Sequence, residues 1–512
     1  MRWRRGIVNA RRGRLDWRLR SAQTVATLAV THPATKLDMS RTATFSLFVI
    51  LHAAFAPVTS ADDPPTKPNI LVLCCDDLRP DTIHALGNAT IETPNLDRLV
   101  ERGATFTRAI TAYPLCYPSR GEILTGTSTL RTGYPDRTRT LDATIPTWPE
   151  TLRRAGYRTY YVGKWHTSGR PKSHGYTETL GLFDSGPAPK TPSLDHRGFP
   201  ITGYVGYQFQ DDAGNRFPER GVGLTPNISQ DFADAAIELV RRDEEGPFFA
   251  HVNFTAPHDP RLMPTGYEAN YDRRLMPLPA NFAPEHPFDH GNLRGRDEAL
   301  LPWPRTPDDV RWDLSIYYAI ITHLDAQIGR VMAALEAADK LDDTLVIFTS
   351  DHGLALGSHG LTGKQNMYEH TIGVPLIFAG PGVPSGVRRA TQCYLRDLFP
   401  TTCELAGIDV PASVQGTSLA GALRGEVDEA HPFVVAYFRD TQRMIRTNEW
   451  KLIWYPHLDR HQLFNVKNDP DELRDLVDAP ELSGLKAELK EKLMAWLIEN
   501  GDTVAADKAT AR

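Results

Sequence analysis

Two long apolar runs that each end in acidic residues constrain the fold of this chain more than any other feature of its sequence. In NILVLCCDD at residues 69–77, six apolar residues precede two aspartates, and DTLVIFTSDHG at 343–353 is again apolar and β-branched before Asp351 and His352. Such runs are typical of strands that are buried on both faces of a parallel sheet. We therefore expect two buried strands whose carboxyl ends carry polar side chains, where α/β sheets build their sites.

Helical periodicity alternates with these strands. A third and weaker apolar run, PFFAHVNFTAPHDP at 247–260, ends at His258, and a helical segment at 308–338 follows it. In that segment apolar residues recur at three- and four-residue steps, which marks one buried face of a helix; they are Leu314, Tyr317, Ile321, Leu324, Ile328, Val331 and Leu335. The alternation predicts an α/β sandwich with a large, mostly parallel central sheet flanked by helices.

The pattern changes after about residue 420. Short apolar segments between polar turns predict a smaller C-terminal antiparallel sheet; they lie at 433–438, 443–447, 451–456 and 461–466. The last helical pattern predicts a helix that packs by one face; its apolar residues are Leu482, Leu485, Leu489, Leu493 and Trp496. We expect a main domain over 66–420 and a C-terminal subdomain over 421–512.

The first sixty residues contain the pattern of a secretory signal. Residues 1–38 hold eight arginines and no apolar run, whereas Met39 opens a segment with the apolar stretch FSLFVILHAAF at 45–55 and a small-residue end. An apolar core of this length is typical of a signal peptide and is too short to span a bilayer. We expect a non-native extension at 1–38, a signal peptide at 39–61, and export to the periplasm or the cell exterior without a stable membrane anchor.

Bulk charge and cysteine content exclude two classes of protein. Without residues 1–61 the chain has 47 basic and 61 acidic side chains, a net charge of −14, so it is not a nucleic-acid binder by bulk charge. Its five irregularly spaced cysteines are too few for a disulfide framework and show no paired metal-ligand spacing. An anionic ligand would therefore need a local basic pocket.

Three aspartates and a histidine follow the two strongest strand patterns. Asp76 and Asp77 end the first strand, and Asp351 and His352 end the second. A single Asp-Asp pair is usually a solvated loop start, but neighbouring strands would bring all four side chains to one point. Carboxylates crowded in a partly buried site need a cation, and oxygen-rich ligands suit Ca²⁺ or Mg²⁺.

Five basic side chains also lie near predicted strand ends; they are Arg120, Lys164, His166, His258 and Lys364. Each alone has an ordinary interpretation as a surface residue. Lys164 and His166 are two residues apart, so an extended backbone would point both to one side. Together the five would line a pocket for a small, compact polyanion.

Cys116 stands at the start of a predicted helix, in the segment LCYPSRGEILTG at 115–126. Pro118 suits the first helical turn, and a helix N-terminus beside Arg120 favours an anion. The thiol could be a buried hydrophobic residue, a metal ligand, a nucleophile, or the precursor of another group. The residues alone leave these interpretations open.

Taken together, these motifs resemble those of the type I sulfatases, within the alkaline-phosphatase-like superfamily. The resemblance covers nearly the whole chain after residue 61 and rests on motifs in the family's order; they are PNILVLCCDDLRPD, Cys-x-Pro-Ser-Arg with Leu-Thr-Gly, GKWH, TAPH, TSDHG, the GKQ segment and LFNVKNDPDE. At the position of His352 asparagine is more common in the family. A histidine there resembles the variant of the iduronate-2-sulfatase-like and polysaccharide sulfatase branch. The implied fold is an alkaline-phosphatase-like sandwich, with its catalytic domain at 66–420.

The resemblance implies a sulfuric ester hydrolase that uses a modified residue and a metal. Cys116 would be oxidised to Cα-formylglycine by a formylglycine-generating or sulfatase-maturating enzyme, and the hydrate of that aldehyde would attack sulfur. By similarity to the family, one Ca²⁺ would be bound by five ligands; they are Asp76, Asp77, Asp351, His352 and the residue at position 116.

The same resemblance implies roles for the five basic residues. Arg120 and Lys164 would hold the hydrate, and His166 would act as the base for its collapse. Lys364 and His258 would bind sulfate oxygens and assist the leaving alcohol.

The implied substrate is a sulfated carbohydrate, such as a polysaccharide or glycosaminoglycan-type unit. The insert at about 167–225 and the stretch 276–298 are expected to cap the pocket; candidate contacts there are His174, His196, His290, Arg294 and Arg296. Three alternatives stay open. They are a phosphonate monoester or phosphodiester hydrolase of the same superfamily, a non-catalytic secreted glycan-binding module, and a sulfatase whose cysteine is never converted.

Overall fold

The structure is a computed structural model, and it describes residues 67–510 except 137, 187–192, 195–197, 199 and 202. The predicted extension at 1–38 and signal peptide at 39–61 lie outside the described residues. The strands are β1 (Asn69–Asp76), β2 (Ala104–Ile110), β3 (Arg158–Lys164), β4 (Glu178–Ser185), β5 (Ser193–Leu194), β6 (Pro200–Ile201), β7 (Tyr207–Gln210), β8 (Phe248–Pro257), β9 (Thr344–Ser350), β10 (Leu376–Ala379), β11 (Val387–Tyr394), β12 (Val434–Phe438), β13 (Gln442–Arg446), β14 (Lys451–Tyr455) and β15 (Arg460–Phe464).

Helices connect and cover these strands. They are α1 (Pro94–Arg102), α2 (Cys116–Thr125), α3 (Thr129–Thr132), α4 (Trp148–Arg154), α5 (Ile228–Val240), α6 (Pro307–Ala337), α7 (Glu369–Ile372), α8 (Leu398–Leu405), α9 (Ala420–Arg424), α10 (Ser483–Glu499) and α11 (Thr503–Thr510). Short 3₁₀ helices lie at His84–Leu86, Pro171–His174, Pro218–Arg220, Arg273–Leu275, Asp297–Leu300, Leu395–Asp397 and Pro480–Leu482. In the part of the chain that the structure describes, no helix is both long enough and apolar enough to cross a bilayer.

The central sheet has nine strands in the order β11-β2-β10-β9-β1-β8-β3-β4-β7. The pairs β9–β1, β1–β8, β8–β3, β3–β4 and β11–β2 are parallel, whereas β10 and β7 run antiparallel to their neighbours. The three apolar runs of the sequence therefore lie side by side at its centre, which confirms the predicted large and mostly parallel sheet.

Alternating side chains of β1 enter two separate cores, as a strand covered on both faces requires. Leu71 and Leu73 pack with α1, α5 and α6 on one face of the sheet. Ile70 and Val72 pack with α2, α4 and α8 on the other. The apolar stripe predicted over 308–338 is buried along α6, so the α/β sandwich is confirmed.

The C-terminal region forms the predicted second sheet. β12, β13, β14 and β15 pair antiparallel in that order. α10 packs against this sheet through Leu489, Leu493 and Leu497, while Leu482, Leu485 and Trp496 are only partly buried. The helix therefore uses one face, as predicted, with Leu497 in place of Trp496 at its buried end.

Candidate active site

The carboxyl edge of the central sheet brings together the side chains that follow the apolar strands. β1 and β9 are parallel neighbours with Cys75 opposite Ser350. Asp76 at the end of β1 and Asp351 directly after β9 therefore reach the same point, and both are fully buried. The two acidic strand ends converge as their patterns predict.

Basic residues from other elements lie at the same edge. Lys164 is the last residue of β3, and its Nζ lies 2.5 Å from Asp76 Oδ2. His258 follows β8, and its Nε2 lies 3.9 Å from Asp77 Oδ2. Lys364 comes from the loop after β9, and its Nζ lies 2.7 Å from Asp77 Oδ1. Cations that are distant in sequence therefore partly neutralise the two adjacent aspartates.

Cys116 is the first residue of α2 and lies inside this cluster, with 2% of its surface exposed. Its Sγ lies 3.3 Å from Lys364 Nζ and 3.3 Å from His352 Nε2. Burial opposes ionisation of the thiol, but the charges of Lys164, Lys364 and His352 hold the pKa of Cys116 well below its usual value. Position 116 is therefore a place where negative charge is stabilised.

Arg120, one turn further along α2, makes its hydrogen bonds to the ends of the neighbouring strands. Its Nε and Nη2 each lie 3.0 Å from Asp351 Oδ2, and its Nη1 donates to Asn253 Oδ1. The preceding Ser119 hydroxyl donates to the Asp351 carbonyl over 2.7 Å. Two consecutive residues thus fix the helix that carries Cys116 to the end of β9.

His166 lies just beyond β3, and its ring centroid is 5.5 Å from that of Tyr117 and 6.3 Å from that of Tyr207. It shares a hydrogen bond with the Cys116 thiol, and its Nδ1 has no hydrogen-bond partner among the described residues. Burial and the charge of Lys164 lower the pKa of His166. Its imidazole is therefore neutral, as a general base needs to be.

The acidic cluster has the donors that a bound cation needs. Two overlapping groups of ligand atoms each lie within 4.8 Å; they come from Asp76, Cys116, Asp351 and His352, and from Asp76, Asp77, Cys116 and His258. Asp76 Oδ1 is buried and has no hydrogen-bond partner within the described ranges. A buried carboxylate oxygen without a partner is costly, so these residues fit a cation at this point.

The crowding of negative charge also shifts the ionisation of the neighbouring groups. Burial and the charge of Asp76 raise the pKa of Asp351 to about 7. Burial lowers the pKa of His352, but Asp351 and Cys116 outweigh that effect and raise it to about 9. His352 Nδ1 lies 3.0 Å from the Gly353 carbonyl oxygen, which leaves Nε2 directed at Cys116 and Asp351.

Three residues that the sequence patterns did not single out complete the site. Asn253 accepts the hydrogen bond from Arg120, Tyr204 donates to Asp76, and Asp259 Oδ1 lies 3.0 Å from His258 Nδ1. A polar residue inside the apolar strand β8 is a signal that could have identified Asn253. Tyr204 lies in the insert at 167–225, where no periodic pattern marks it.

Of the candidate substrate contacts in the two inserts, Arg296 lies nearest to the acidic cluster, since its guanidinium pairs with Asp259. The other described candidates contact residues outside that cluster; they are His174, His290 and Arg294. His196 lies outside the described residues.

Comparison with known proteins shows the family to which the chain belongs. A family model described as "Sulfatase" matches residues 68–408, and one described as "N-sulphoglucosamine sulphohydrolase, C-terminal" matches residues 357–499. The chain belongs to the sulfatase family. It is therefore a sulfuric ester hydrolase.

Individual relatives agree with this assignment over most of their length. The sulfatase is 31% identical over 435 residues to a choline-sulfatase of Rhizobium meliloti, which covers 81% of this chain and 83% of the relative. It is 26% identical over 499 residues to an N-acetylglucosamine-6-O-sulfatase of Bacteroides thetaiotaomicron, covering 83% and 86%. A solved structure in complex with its substrate D-glucosamine-2-N,6-O-disulfate has a TM-score of 0.72 and 24% identity, covering 86% of this chain and 99% of that one. The predicted alkaline-phosphatase-like fold is confirmed.

Proposed function

We propose that this sulfatase removes sulfate from a sulfated carbohydrate by means of a Cα-formylglycine at position 116. The observation that carries the proposal is the place of Cys116 at the start of α2, between the cations Lys364 and His352 and against three buried aspartates. A buried thiol that only fills space is not stabilised by adjacent cations. A group that gains negative charge during the reaction is stabilised by them.

The acidic cluster would hold one Ca²⁺, because oxygen donors dominate it and Asp76 Oδ1 lacks another partner. The ligands would be Asp76, Asp77, Asp351, His352 and the residue at 116. When bound, Ca²⁺ would polarise the sulfate oxygens and favour deprotonation of the nucleophile.

Conversion of Cys116 would supply an aldehyde whose hydrate carries one hydroxyl to attack sulfur and one to expel sulfate. Lys164 and Arg120, which neutralise Asp76 and Asp351, would orient that hydrate. His166, neutral and against position 116, would take the proton of the second hydroxyl.

Two residues would act on the sulfate and on the leaving group. Lys364 Nζ is within reach of both position 116 and Asp77, so it would bind a sulfate oxygen there. Burial opposes protonation of His258, but Asp77 and Asp259 raise its pKa well above the usual value. As a cation it would donate a proton to the departing alcohol oxygen.

Relatives support a sugar as that alcohol, since one is an N-acetylglucosamine-6-O-sulfatase and one solved neighbour binds glucosamine disulfate. A choline ester, as the Rhizobium meliloti relative's name indicates for that protein, is the second candidate. Quaternary ammonium groups bind to aromatic faces, and the rings of Tyr117 and Tyr207 lie 5.5 and 6.3 Å from that of His166. A phosphonate monoester or phosphodiester is the third, because the site would hold either tetrahedral anion.

A substrate panel separates these candidates. Purified protein would be assayed for sulfate release from defined sulfated mono- and disaccharides and from choline sulfate, and an aryl sulfate would be compared with an aryl phosphate. The highest kcat/KM on a sulfated sugar supports the proposal. A preference for choline sulfate or for the phosphate ester contradicts it. Tryptic mass spectrometry of the Cys116 peptide would detect the aldehyde and thereby the action of a maturating enzyme.

The maturation pathway and domain boundaries belong to the same proposal. Translation would start at Met39, residues 39–61 would direct export, and residues 1–38 would be absent from the native chain. The catalytic domain would span 66–420 and the C-terminal subdomain 421–512. Mass spectrometry of the native N-terminal peptide tests the start site, since a peptide from within 1–38 would contradict it.

A further inference from the structure

Tyr204 is held in an uncommon backbone conformation next to the acidic cluster. Its φ is 58°, in the left-handed region that residues other than glycine adopt only where the surroundings hold them. Its side chain comes from the insert at 167–225, yet only 7% of the residue is exposed. Tyr204 is therefore a residue of the insert that is buried within the site.

The hydroxyl of Tyr204 donates a hydrogen bond to Asp76 Oδ2. The same oxygen lies 2.5 Å from Lys164 Nζ. The other oxygen, Oδ1, has no hydrogen-bond partner in the described part of the chain, and Arg120 Nη2 is 3.8 Å from it. Two donors on one oxygen fix the rotation of the Asp76 carboxylate and leave Oδ1 free.

The ring of Tyr204 is fixed from several sides. It meets the His258 ring edge to face at 4.8 Å and the Tyr207 ring at 4.9 Å, and Lys164 Nζ lies 5.0 Å from its centroid. The backbone just before it is equally confined, because a Cβ at Gly203 would lie 2.5 Å from the side chains of Arg296 and Asp259. These contacts hold the ring, and with it the phenol hydroxyl, against Asp76.

We propose that Tyr204 is a positioning residue for the metal ligand Asp76, whose Oδ2 it occupies so that Oδ1 faces the ion. The inference rests on the proposed function, since it assigns Asp76 to a Ca²⁺ site. Hydrogen-bonded partners of metal ligands hold those ligands in the binding orientation, and losing one typically weakens metal affinity about 10- to 100-fold. Tyr204→Phe should therefore weaken Ca²⁺ binding by about tenfold or more.

The test is calorimetric titration of Ca²⁺ into chelator-treated full-length protein without substrate. Tyr157→Phe is the matched control: it also removes a buried hydroxyl, whose hydrogen bond to the Pro68 carbonyl lies at the opposite edge of the sheet. We expect the control to bind Ca²⁺ like the wild type. Gly203→Ala, which displaces the backbone beneath Tyr204 without removing its hydroxyl, should weaken binding in the same direction as Tyr204→Phe.

The outcomes separate this inference from the proposed function. Equal Ca²⁺ affinity in wild type and Tyr204→Phe overturns the role of Tyr204, even if the enzyme releases sulfate from sugars. An equal loss in Tyr157→Phe also overturns it, because the effect would then be general destabilisation. Weaker binding in Tyr204→Phe alone supports it whatever the substrate is, and a wild type that binds no Ca²⁺ overturns both.

Discussion

Two buried groups of charges in this sulfatase differ in how completely they are neutralised. In the C-terminal region, Lys451 Nζ lies 2.9 Å from Glu369 Oε1 and 2.7 Å from Glu472 Oε1. Arg446 Nη1 lies 2.5 Å from Glu369 Oε2, and the Glu369 amide donates to Glu472 Oε2 over 2.7 Å. In these four residues, which we call the charge clamp, each carboxylate oxygen has a nitrogen within 2.9 Å, although the contact of Glu369 Oε1 lies outside hydrogen-bond geometry. In the acidic cluster, Asp76 Oδ1 has no hydrogen-bond partner among the described residues, and its ion-pair partner Arg120 Nη2 is 3.8 Å away.

The difference separates a structural from a functional use of buried charge. The charge clamp joins Glu369 of α7 to β13 and β14, so its charges serve the attachment of the second sheet. A group of charges in which every carboxylate oxygen has a close nitrogen partner needs no further ligand for its neutralisation. The acidic cluster keeps a carboxylate oxygen 3.8 Å from its cation and a thiol between two cations, and such clusters are typical of binding or catalytic sites.

The largest expected effect breaks function at the acidic cluster alone. Cys116→Ala should lower kcat for sulfate release by at least about a thousandfold, because alanine cannot be converted to the aldehyde whose hydrate is the proposed nucleophile. The melting temperature should stay close to that of the wild type. Cys403→Ala, at a buried cysteine of α8, is the control and should retain turnover. Full activity in Cys116→Ala would contradict the mechanism.

The second effect breaks stability at the charge clamp alone. Lys451→Met should reduce the free energy of unfolding by about 3–5 kcal/mol, since it leaves buried Glu472 without its cation and partly exposed Glu369 with Arg446 alone. Activity per folded molecule should be unchanged. Lys467→Met removes the exposed pair with Glu449 and should cost less than about 1 kcal/mol in the same denaturant titration. Equal losses in the two variants would show that the clamp is not structural.

Metal removal distinguishes the two groups by a different measurement. Chelation should abolish turnover and lower the melting temperature, and Ca²⁺ at a hundred times its Kd should restore about 2.7 kcal/mol of stability. Lys451→Met should show the same Ca²⁺-dependent gain, because no clamp residue belongs to the candidate metal-ligand groups found among the described residues. A melting temperature that chelation leaves unchanged would count against a metal at the acidic cluster.

The smallest effect is a pH dependence beside the clamp. Burial and the charge of Lys451 lower the pKa of His359 to about 4, against about 6.5 in an unfolded chain. Between pH 6.5 and pH 4 His359 is protonated in the unfolded chain but not in the folded one. Its contribution to stability is therefore present above pH 6.5 and is lost as pH falls toward 4.

Removing this histidine tests the linkage. His359→Asn keeps a residue that tolerates the positive φ of 54° found there. Between pH 6.5 and 4.5 the variant should lose about 2 kcal/mol less stability than the wild type in denaturant titrations. Parallel losses in the two proteins would assign the acid sensitivity to other groups.

The sequence predicted the parts of this molecule that depend on local pattern. The runs that became β1, β8 and β9, and the apolar stripe of α6, follow from periodicity, and the acids at the strand ends followed with them. The position of β10, antiparallel between β9 and β2, depends on long-range pairing that no local pattern encodes. Tyr204 was missed for the same reason, because its role comes from its contacts with Asp76 and His258.

The order of strands in the central sheet has a consequence for the time course of synthesis. β1 is the first strand of the described residues, yet it lies between β8 and β9, and the Asp77 amide bonds to Asp351, which is made 274 residues later. At usual elongation rates that interval is roughly 15 to 55 s. Until β8 is made β1 has two unpaired apolar edges, and one of them stays unpaired until β9 is made. Unpaired strand edges can pair with other chains. In the same interval Cys116 has been made but is not yet buried, so the maturating enzyme proposed above would have access to it.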